Sequence, residues 1–571
     1  MKRLCALLCS LIILLSVCGK EISAQHNTNY ANPILSGFYP DPSICKVNDE
    51  YFLVTSTFSY YPGLPVFKSK DLVNWKLTGY VLNTPEQLDL EGQGVSRGLF
   101  APAIRFHDGL FYVTCTLVDI GGNFVVTSKS AEGPWSDPVW LPEVNGIDPS
   151  LFFDDDGKAY IIYNSDAPGY KPLYDGHRTL RMYEFNYKNL KVVGEEKLII
   201  NGGTDLSKNP IWIEAPHIFK VDGHYYLIAA EGGTADWHSE VVFRSKNVFG
   251  PYIPFKDNPI LTQRHLDKKR VNPITSTGHA DFVQTENGDW WAVFLGCRPY
   301  SLEHDGMYNT GRETFLAPVK WITDEEGIKW PIINYGNELV QYHYPQPLKS
   351  GDDISIRPYG GNFTIRDEFE NAELDLNWMF LRTPKEKWYS INSEQGILTL
   401  DLKPETCGGK SNPAFIGQRQ HHLKCSASTS FEFKPGSENE KAGLLIFQNE
   451  ENYYLICKSV ENGEQVIQLL KSGNEESYKV INSVRITEGH SHNKISVKIF
   501  ADKEKYTFSY SINDEWKLLA ENVDGNFLST GTAGGFVGCM FALYVTSNNQ
   551  QTSNKVHFDF YEYSGDDEVY K

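Results

Sequence analysis

The sequence predicts an all-β protein, in which a five-bladed β-propeller is followed by an antiparallel β-sandwich. A strand–turn–strand unit returns five times in the first 340 residues, and apolar periodicities typical of helices are almost absent. Short alternating strands separated by polar turns fill the chain after residue 361. The predicted organisation is a signal peptide over 1–24, a propeller over 25–345, a linker over 346–361 and a sandwich over 362–571.

Length and composition narrow the class of protein before any motif is considered. The 571 residues carry a net charge of −19, and 13% of them are aromatic. A chain of this length forms several domains or two large ones. The acidic balance argues against nucleic acid or an anionic membrane surface as a partner. An acidic, aromatic-rich protein suits a neutral partner such as a sugar.

The first residues have the pattern of an export signal. Lys2 and Arg3 precede an apolar run that ends at Val17, and this run is shorter than the ~20 residues of a membrane span. The segment therefore predicts a signal peptide cut after Ala24, and no membrane span. Cys18 in "LSVC" offers an alternative, a lipid anchor added on export. We expect a periplasmic or extracellular protein, either free or anchored in the outer membrane through Cys18.

Five stretches of the N-terminal part share one pattern. Each begins with a small or acidic residue, usually followed by Pro, and continues with an apolar run, a polar turn and an aromatic-rich strand. They are "DPSICKVNDEYFLVTST", "APAIRFHDGLFYVTCTL", "DPSLFFDDDGKAYIIYN", "APHIFKVDGHYYLIAAE" and "HADFVQTENGDWWAVFL". Two apolar runs around an Asp-Gly-type turn indicate a β-hairpin. The repeats start 47 to 67 residues apart, which is typical of propeller blades.

The residues that open the five repeats should meet in space, because the first strand of each propeller blade lines the central channel. These residues are Asp41, Ala101, Asp148, Ala215 and His279, with Glu214 directly before Ala215. Asp-Pro alone often only starts a turn. Here, however, the acids occupy equivalent repeat positions in front of apolar strands. Three acids and one histidine, distant in sequence, are therefore predicted to converge on the axis.

Several motifs, in order along the chain, resemble glycoside hydrolase family 43, and in particular its two-domain β-xylosidases. They are "NPILSGFYPDPSI", "GIDPSLF", "WIEAPHIFK", "GHADFV" and "GRETFLAPVKW". The resemblance runs through most of 30–345 and continues into the C-terminal part. It implies a five-bladed propeller that cleaves glycosidic bonds with inversion. It also implies Asp41 as general base, Glu214 as general acid and Asp148 as the acid that tunes and orients Glu214.

These implied roles have a chemical rationale. An inverting glycosidase needs one carboxylate to deprotonate water and one carboxylic acid to protonate the leaving oxygen, roughly 6.5–9.5 Å apart. Asp41 should stay ionised, and the prolines on both sides restrict its backbone. Glu214 should stay protonated, because its apolar neighbours desolvate it and Asp148 adds like-charge repulsion.

The resemblance assigns further residues around the sugar. Arg312 is expected to hydrogen-bond sugar hydroxyls and Thr234 to lie near the acid; a surface salt bridge is the alternative for Arg312. The rings expected to wall the pocket, with core packing as their alternative, are Phe58, Phe100 and Phe536. His279 matches an axial histidine that binds a metal ion or water, and a hydrogen-bonded histidine without a metal is the alternative. Many β-xylosidases of the family have Trp where Phe100 stands, which leaves the sugar preference open.

The C-terminal part again consists of short strands, among them "GILTLDL", "AGLLIFQ" and "KVHFDFYEY". Their alternation predicts an antiparallel sandwich, which resembles the lectin-like sandwich of the same two-domain enzymes. In those enzymes the sandwich packs on the propeller and lends a loop to the active-site rim. "GTAGGFVGCMF", which contains Phe536, lies in the matching region. A structural calcium ion with Glu370 and Asp559 as oxygen ligands is considered, against the alternative of two solvated acids.

The expected function is the exo-acting release of xylose from non-reducing ends of xylo-oligosaccharides, with no cofactor required for the chemistry. An α-L-arabinofuranosidase that trims arabinoxylan, or an enzyme with both activities, is the main alternative. An endo-arabinanase needs an open groove. By analogy with the two-domain enzymes, the sandwich is expected to close one end of the site, which disfavours this activity. A non-catalytic carbohydrate-binding protein predicts the loss of a carboxylate, yet all three are present. The oligomeric state is left open.

Overall fold

The computed structural model describes residues 29–349, 357–473, 477–486 and 494–571. The predicted signal peptide and Cys18 lie outside these residues, as do 350–356 of the predicted linker. Most regular structure in the described part is β-strand, which confirms the predicted fold class. The short helical elements are the α-helix Thr530–Ala533 and the 3-10 helices Pro168–Tyr170, Leu206–Lys208, Asn526–Leu528 and Glu568–Tyr570. No helix in these ranges is long and apolar enough to cross a membrane.

Each predicted repeat supplies the first two strands of one antiparallel blade. Blade 1 contains Ser43–Val47, Glu50–Val54, Gly63–Ser69 and Lys76–Leu82. Blade 2 contains Ala103–His107, Leu110–Val118, Gly122–Ser128 and Val139–Trp140, with Gly98–Leu99 as an additional strand. Blade 3 contains Ile147–Phe153, Ala159–Asp166, Arg178–Asn186 and Lys191–Asn201.

The remaining two blades complete the propeller. Blade 4 contains Glu214–Val221, His224–Glu231, Ser239–Ser245 and Ile253–Pro254, with Leu261–Thr262 as an additional strand. Blade 5 contains Thr275–Gln284, Trp290–Cys297, Glu313–Thr323 and Lys329–Ile333. The first strands of neighbouring blades contact one another around a closed ring. This ring brings the starts of all five repeats to one end of the axis.

The N-terminal segment fastens the propeller ring. Asn29–Ala31 pairs with His343–Pro345. Leu35 and Thr314 exchange backbone hydrogen bonds of 3.2 and 3.1 Å, which ties this segment to blade 5. The predicted boundaries at 345 and 361 stay predictions; the first strand after them is Thr364–Asp367.

The C-terminal domain is built from two eight-stranded antiparallel sheets. The first sheet contains, in spatial order, Tyr389–Asn392, Ile397–Asp401, Lys555–Gly565, Lys424–Glu432, Lys494–Asp502, Lys505–Ile512 and Glu515–Asp524, with Thr364–Asp367 beside Lys555–Gly565. The second sheet contains Tyr478–Arg485, Glu464–Ser472, Asn452–Glu461, Lys441–Asn449, Met540–Thr546, Ala414–Arg419, Met379–Leu381 and Tyr60–Tyr61. The two sheets enclose one apolar core, as expected for a sandwich.

The last strand of the second sheet comes from the propeller part of the chain. Tyr60–Tyr61, between the second and third strands of blade 1, pairs with Met379–Leu381. This pairing covers backbone groups that an edge strand would otherwise leave open. The core of the sandwich also continues into apolar residues of blades 1 and 2, such as Val66 and Val113.

A buried ionic network joins the two domains. Arg298, of which 1% of the side chain is exposed, donates to both Glu313 carboxylate oxygens at 2.6 and 2.8 Å. The same guanidinium donates to Asp567 at 2.7 Å and to the His421 carbonyl at 2.7 Å, both in the sandwich. Because breaking a buried charge network is costly, this network stabilises the contact between the sandwich and the propeller.

Candidate active site

A cavity of about 470 Å³ opens where the five repeats begin. All nine residues predicted for the propeller pocket line it: Asp41, Phe58, Phe100, Asp148, Glu214, Thr234, His279, Arg312 and Phe536. Lining residues to which the sequence assigned no role in the site are Arg97, Val118, Ile147, Arg178, Trp212 and Gly233. Ile147 and Trp212 stand in the quoted motifs "GIDPSLF" and "WIEAPHIFK", whereas the other four lie on loops or on later strands of the blades.

The backbone takes the same unusual turn at four of the five repeat starts. Asp41, Asp148, Ala215 and His279 have φ values of 56°, 55°, 52° and 56°. The left-handed region is unfavourable for non-glycine residues, and such strain is typical of functional sites. In blades 3, 4 and 5 a shift in strand register accompanies the turn. Irregularities of this kind re-aim side chains, here toward the mouth of the axis.

Asp41 is a buried carboxylate held by three neighbours. Its Oδ2 accepts a hydrogen bond from Ser56 Oγ at 2.6 Å, and its Oδ1 accepts one from Arg312 Nη1 at 2.9 Å. His279 Nδ1 lies 3.6 Å from Oδ1. Burial by itself raises the pKa of Asp41, but Arg312, His279 and the Ser56 hydroxyl outweigh it and lower the pKa below its ordinary value. Asp41 is therefore ionised at neutral pH.

Glu214 has the opposite tendency in the same cavity. Burial, followed by the negative charge of Asp41, raises the pKa of Glu214 to about 7, while Arg312 and Arg178 oppose the rise. A large fraction of Glu214 therefore carries a proton near neutral pH. The cavity thus holds one carboxylate and one carboxylic acid, which is the pairing that acid–base cleavage of a glycosidic bond requires.

Asp148 is linked to Glu214 through the backbone. The Ala215 N–H donates to Asp148 Oδ2 at 3.2 Å. Burial, then the charges of Glu214 and Asp41, raise the pKa of Asp148 well above its ordinary value. The repulsion that was expected to raise the pKa of Glu214 therefore acts on Asp148. Because two neighbouring buried carboxylates repel each other, this pair retains a proton at neutral pH.

Arg312 is a buried cation in the pocket wall and not an exposed salt bridge. Its Nη1 donates to Asp41 and also to Thr234 Oγ1 at 3.0 Å. The guanidinium lies 5.8 Å from the Phe58 ring centre and 5.4 Å from that of Phe536. Arg312 therefore connects blade 1, the loop after Glu231 and the sandwich at one point.

Three phenylalanine rings form one side of the cavity. Phe58 stacks on Phe536 with ring centres 5.9 Å apart, and Phe100 meets both rings edge-on at 5.6 and 5.7 Å. The Phe536 N–H donates to Ser96 Oγ at 2.9 Å, which fastens the sandwich loop to the propeller. The rings line the cavity and also pack against one another; their contact with a sugar stays a prediction.

The sequence suggested two places for a metal ion, one at His279 and one at Glu370 and Asp559. Burial lowers the pKa of His279 and keeps the ring neutral. In the described ranges no group of three or more His, Cys, Asp or Glu side chains is arranged to hold a metal ion. Asp559 Oδ2 lies 2.8 Å from Lys494 Nζ, and Glu370 is exposed. These two acids therefore do not form a ligand set of their own for calcium.

A second layer of polar side chains, which the sequence did not predict, lies below the carboxyls of Asp41, Asp148 and Glu214. Ser43, Arg105, Ser150, His217 and Asp281 come from the first strands of blades 1 to 5 and form an axial plug. Arg105 donates to Asp281 at 2.8 Å and to His217 Nδ1 at 2.8 Å. Ser43 Oγ donates to Asp281 at 2.7 Å, and Ser150 Oγ lies 2.9 Å from His217 Nδ1. The plug connects all five blades beneath the cavity.

Comparison with known proteins agrees with this architecture. Residues 30–326 match the family model described as glycosyl hydrolases family 43. Residues 366–564 match the model described as beta xylosidase C-terminal concanavalin A-like domain.

Relatives resemble the chain over almost its whole length. A protein named xylosidase/arabinosidase, from Butyrivibrio fibrisolvens, is 37% identical over 547 residues, which cover 93% of this chain and 98% of the relative. The non-reducing end alpha-L-arabinofuranosidase BoGH43B from Bacteroides ovatus is 35% identical over 569 residues, or 99% of each chain.

Solved structures share the two-domain arrangement. Xyloglucan PUL GH43B of Bacteroides ovatus, 35% identical, has a TM-score of 0.82 over 94% of this chain and 99% of that chain. Xylan beta-1,4-xylosidase from Bacillus halodurans, 29% identical, has a TM-score of 0.81 over 94% of this chain and 100% of that chain. The family match and the full-length relatives confirm what the motifs predicted: the chain belongs to glycosyl hydrolase family 43 and is a two-domain glycosidase.

Proposed function

We propose that the protein is an exo-acting, inverting β-1,4-xylosidase that releases xylose from non-reducing ends of xylo-oligosaccharides. Asp41 is the general base, Glu214 the general acid and Asp148 the group that orients and tunes Glu214. The observation that carries the proposal is the opposite protonation of two carboxyls that line one cavity. Asp41 is ionised, whereas the pKa of Glu214 is raised to about 7.

In the proposed reaction, Asp41 takes a proton from a water molecule while that water attacks the anomeric carbon. Glu214 gives its proton to the glycosidic oxygen as the bond to the anomeric carbon breaks. The products are one sugar of inverted anomeric configuration and a chain shortened by one residue. Afterwards the proton on Asp41 returns to solvent and Glu214 is reprotonated. The mechanism runs through carboxyl groups and water and requires no cofactor.

The closed side of the cavity supports exo action. The Phe536 loop is fastened to Ser96 and covers one side with the rings of Phe58 and Phe100. A wall at this side leaves no path for a glycan chain to continue past the sugar that is released. An endo-acting enzyme needs such a path.

An α-L-arabinofuranosidase, or an enzyme with both activities, is the second candidate. It is supported by the names of two relatives, a xylosidase/arabinosidase and a non-reducing end alpha-L-arabinofuranosidase. Phe100 lines the cavity at the position where the family resemblance leads one to expect Trp in many β-xylosidases. Arabinoxylan would then be the substrate.

The proposal is tested by rates on 4-nitrophenyl β-D-xylopyranoside, 4-nitrophenyl α-L-arabinofuranoside and xylobiose. Faster cleavage of the xyloside, with xylobiose hydrolysed and α-xylose as the first product in NMR, is expected. Preference for the arabinofuranoside with xylobiose intact would favour the second candidate. Absence of activity on all three substrates would contradict both.

Export and a structural calcium ion are proposals of their own. The N-terminal 24 residues support export, and mass spectrometry of the mature N-terminus distinguishes a cut after Ala24 from lipid on Cys18. A calcium ion at Glu370 and Asp559 would have to displace the Lys494 ammonium from Asp559. We expect chelation to leave activity unchanged, because no proposed step uses a metal.

A further inference from the structure

Trp212 is an aromatic residue at the cavity mouth that the proposed chemistry does not use. It lines the cavity two residues before Glu214, and 40% of it is exposed. Its φ is 52°, which is rare for a bulky residue and typical of ligand clamps. An exposed indole held in a strained conformation beside a catalytic acid requires a physical explanation.

The ring of Trp212 is held in place from several sides. The Trp212 N–H donates to the Gly176 carbonyl at 2.8 Å. The Arg178 guanidinium lies 5.0 Å from the ring centre, close enough for a cation–π contact. A Cβ at Gly176 would come within 3.3 Å of the indole Cδ1, and one at Gly233 within 3.9 Å. Only the contact at Gly176 would be tight, so the missing side chain of Gly176 leaves room for this edge of the ring.

Arg178 is itself fixed. Its Nε and Nη2 donate to Asn164 Oδ1 at 3.1 and 2.7 Å, and its Nη1 donates to Asp166. Asn164 in turn donates to the carbonyl of Ile213, between Trp212 and Glu214. The ring, the arginine and the acid are therefore connected through a few hydrogen bonds, and little conformational entropy is lost when a ligand binds there.

The charges at the mouth point to a neutral ligand. Arg178 is paired with Asp166. Arg97, which also lines the cavity, forms a two-pronged pair with Asp119 at 2.6 and 2.7 Å. Because each guanidinium has its own carboxylate, the mouth offers hydrogen-bond donors and an apolar ring face without a net positive charge. This suits a neutral sugar better than a uronic acid.

Glu214 determines on which side this ligand lies. The acid must reach the oxygen between the released sugar and the rest of the chain, so the leaving group lies beyond Glu214. Trp212 is on the segment that leads into Glu214, and Arg178 acts electrostatically on the Glu214 carboxyl. The Phe58, Phe100 and Phe536 rings occupy the closed side instead.

We propose that Trp212, held by Arg178, forms the leaving-group subsite and stacks the neutral pyranose ring that is left as the new chain end. This inference rests on the proposed glycosidase function. It makes Trp212 a binding residue for the leaving sugar, with no part in proton transfer.

The test compares two substrates that differ in the leaving ring. The leaving group of xylobiose is a sugar ring, whereas that of methyl β-D-xylopyranoside is methanol. For an arabinose-releasing enzyme, the corresponding arabinose disaccharide and methyl arabinofuranoside are compared. In Trp212→Ala the ratio of kcat/KM for disaccharide to methyl glycoside should fall on the order of 10- to 100-fold, as expected for loss of one ring stack. In Trp212→Phe, which keeps an aromatic ring, this ratio should stay close to that of the wild type.

Two controls separate binding from structural damage. Trp237→Ala removes a more exposed tryptophan, 62% exposed, which does not line the cavity, and should leave the ratio unchanged. Trp212→Leu keeps an apolar side chain but has no flat ring for stacking. Its ratio of kcat/KM for disaccharide to methyl glycoside should therefore fall as far as that of Trp212→Ala. A ratio unchanged in both Trp212→Ala and Trp212→Leu would overturn the subsite. A wild-type enzyme that releases neither pentose would instead overturn the proposed function, and the subsite with it.

Discussion

Arg312 Nη1 lies 2.9 Å from Asp41 Oδ1, so a cation from blade 5 pairs with the carboxylate that opens blade 1. The pair is buried, and together with His279 and the Ser56 hydroxyl it outweighs the desolvation that raises the pKa of Asp41. For Glu214, in the same cavity, burial and the charge of Asp41 outweigh Arg312 and Arg178, so Glu214 keeps its proton to a higher pH. The direct contact of Arg312 with Asp41 therefore helps to separate the protonation states of the two carboxyls.

The first prediction concerns pH dependence. The active form has Asp41 ionised and Glu214 protonated, so kcat/KM should fall as pH rises through about 7, where Glu214 loses its proton. On the acid side it should fall only below the ordinary pKa of an aspartate, because the pKa of Asp41 is lowered. Initial rates on xylobiose across pH measure both limbs. A profile that keeps rising well above pH 7 would be inconsistent with Glu214 as the acid.

The second prediction concerns the general acid. Glu214→Gln keeps the shape of the side chain but cannot donate the proton, so kcat/KM on xylobiose should fall by about 10²- to 10⁴-fold. The loss should be much smaller on 4-nitrophenyl β-D-xylopyranoside, whose leaving group needs little protonation. Rates on the two substrates measure the difference. Equal losses would remove Glu214 from this role.

The third prediction concerns the general base. Asp41→Asn should reduce activity severely on both substrates, because water must be deprotonated whatever the leaving group is. Ser56→Ala, which removes only the hydroxyl that donates to Asp41, is the matched control and should have a far smaller effect. Substantial residual activity in Asp41→Asn, with thermal unfolding unchanged, would exclude Asp41 as the base.

The fourth prediction concerns the wall contributed by the sandwich. Phe536→Ala removes a ring that stacks on Phe58 and lies against Arg312. Because this ring is on the side of the released sugar, kcat/KM should drop about 10-fold on xylobiose and on methyl β-D-xylopyranoside alike. A loss confined to xylobiose would instead assign Phe536 to the leaving group. This equal loss contrasts with the selective loss expected for Trp212→Ala.

The fifth prediction concerns the axial plug. Arg105→Met leaves Asp281 as a buried charge without its partner, so the propeller should be destabilised by about 3–5 kcal/mol. Lys329→Met breaks the exposed pair with Asp222, in which both side chains are more than half exposed, and should cost less than about 1 kcal/mol. Urea unfolding followed by tryptophan fluorescence compares the two variants. Similar midpoints would show that the plug contributes little to stability.

Much of the fold could be read from the chain because propeller blades repeat. The five repeat starts announced five first strands, and Asp41, Asp148 and His279 line one cavity, as their equivalent positions predicted. The family resemblance added Arg312 and Phe536, which lie far from those acids in sequence and also line it. Their catalytic and binding roles stay predictions that the variants above test.

Other features could not be read from local patterns. Tyr60–Tyr61 lies within a blade segment yet completes a sheet of the sandwich, because strand pairing joins residues more than 300 positions apart. The contacts of Arg105, Arg178 and Trp212 could not be read from the motifs, because they form only when the ring of blades closes. Repulsion by Asp148 was expected at Glu214, whereas the charge of Asp41 adds to burial there.

The sequence by itself determined the repeat, the number of blades, the sandwich and the positions of the three carboxyls, because these depend on strand periodicity and on equivalent places in a repeat. Only the tertiary structure decided which neighbours set the protonation state of each carboxyl. A pKa depends on burial and on charges within a few ångströms. For Asp41 the positive charge comes from Arg312, which reaches it only when the ring of blades closes.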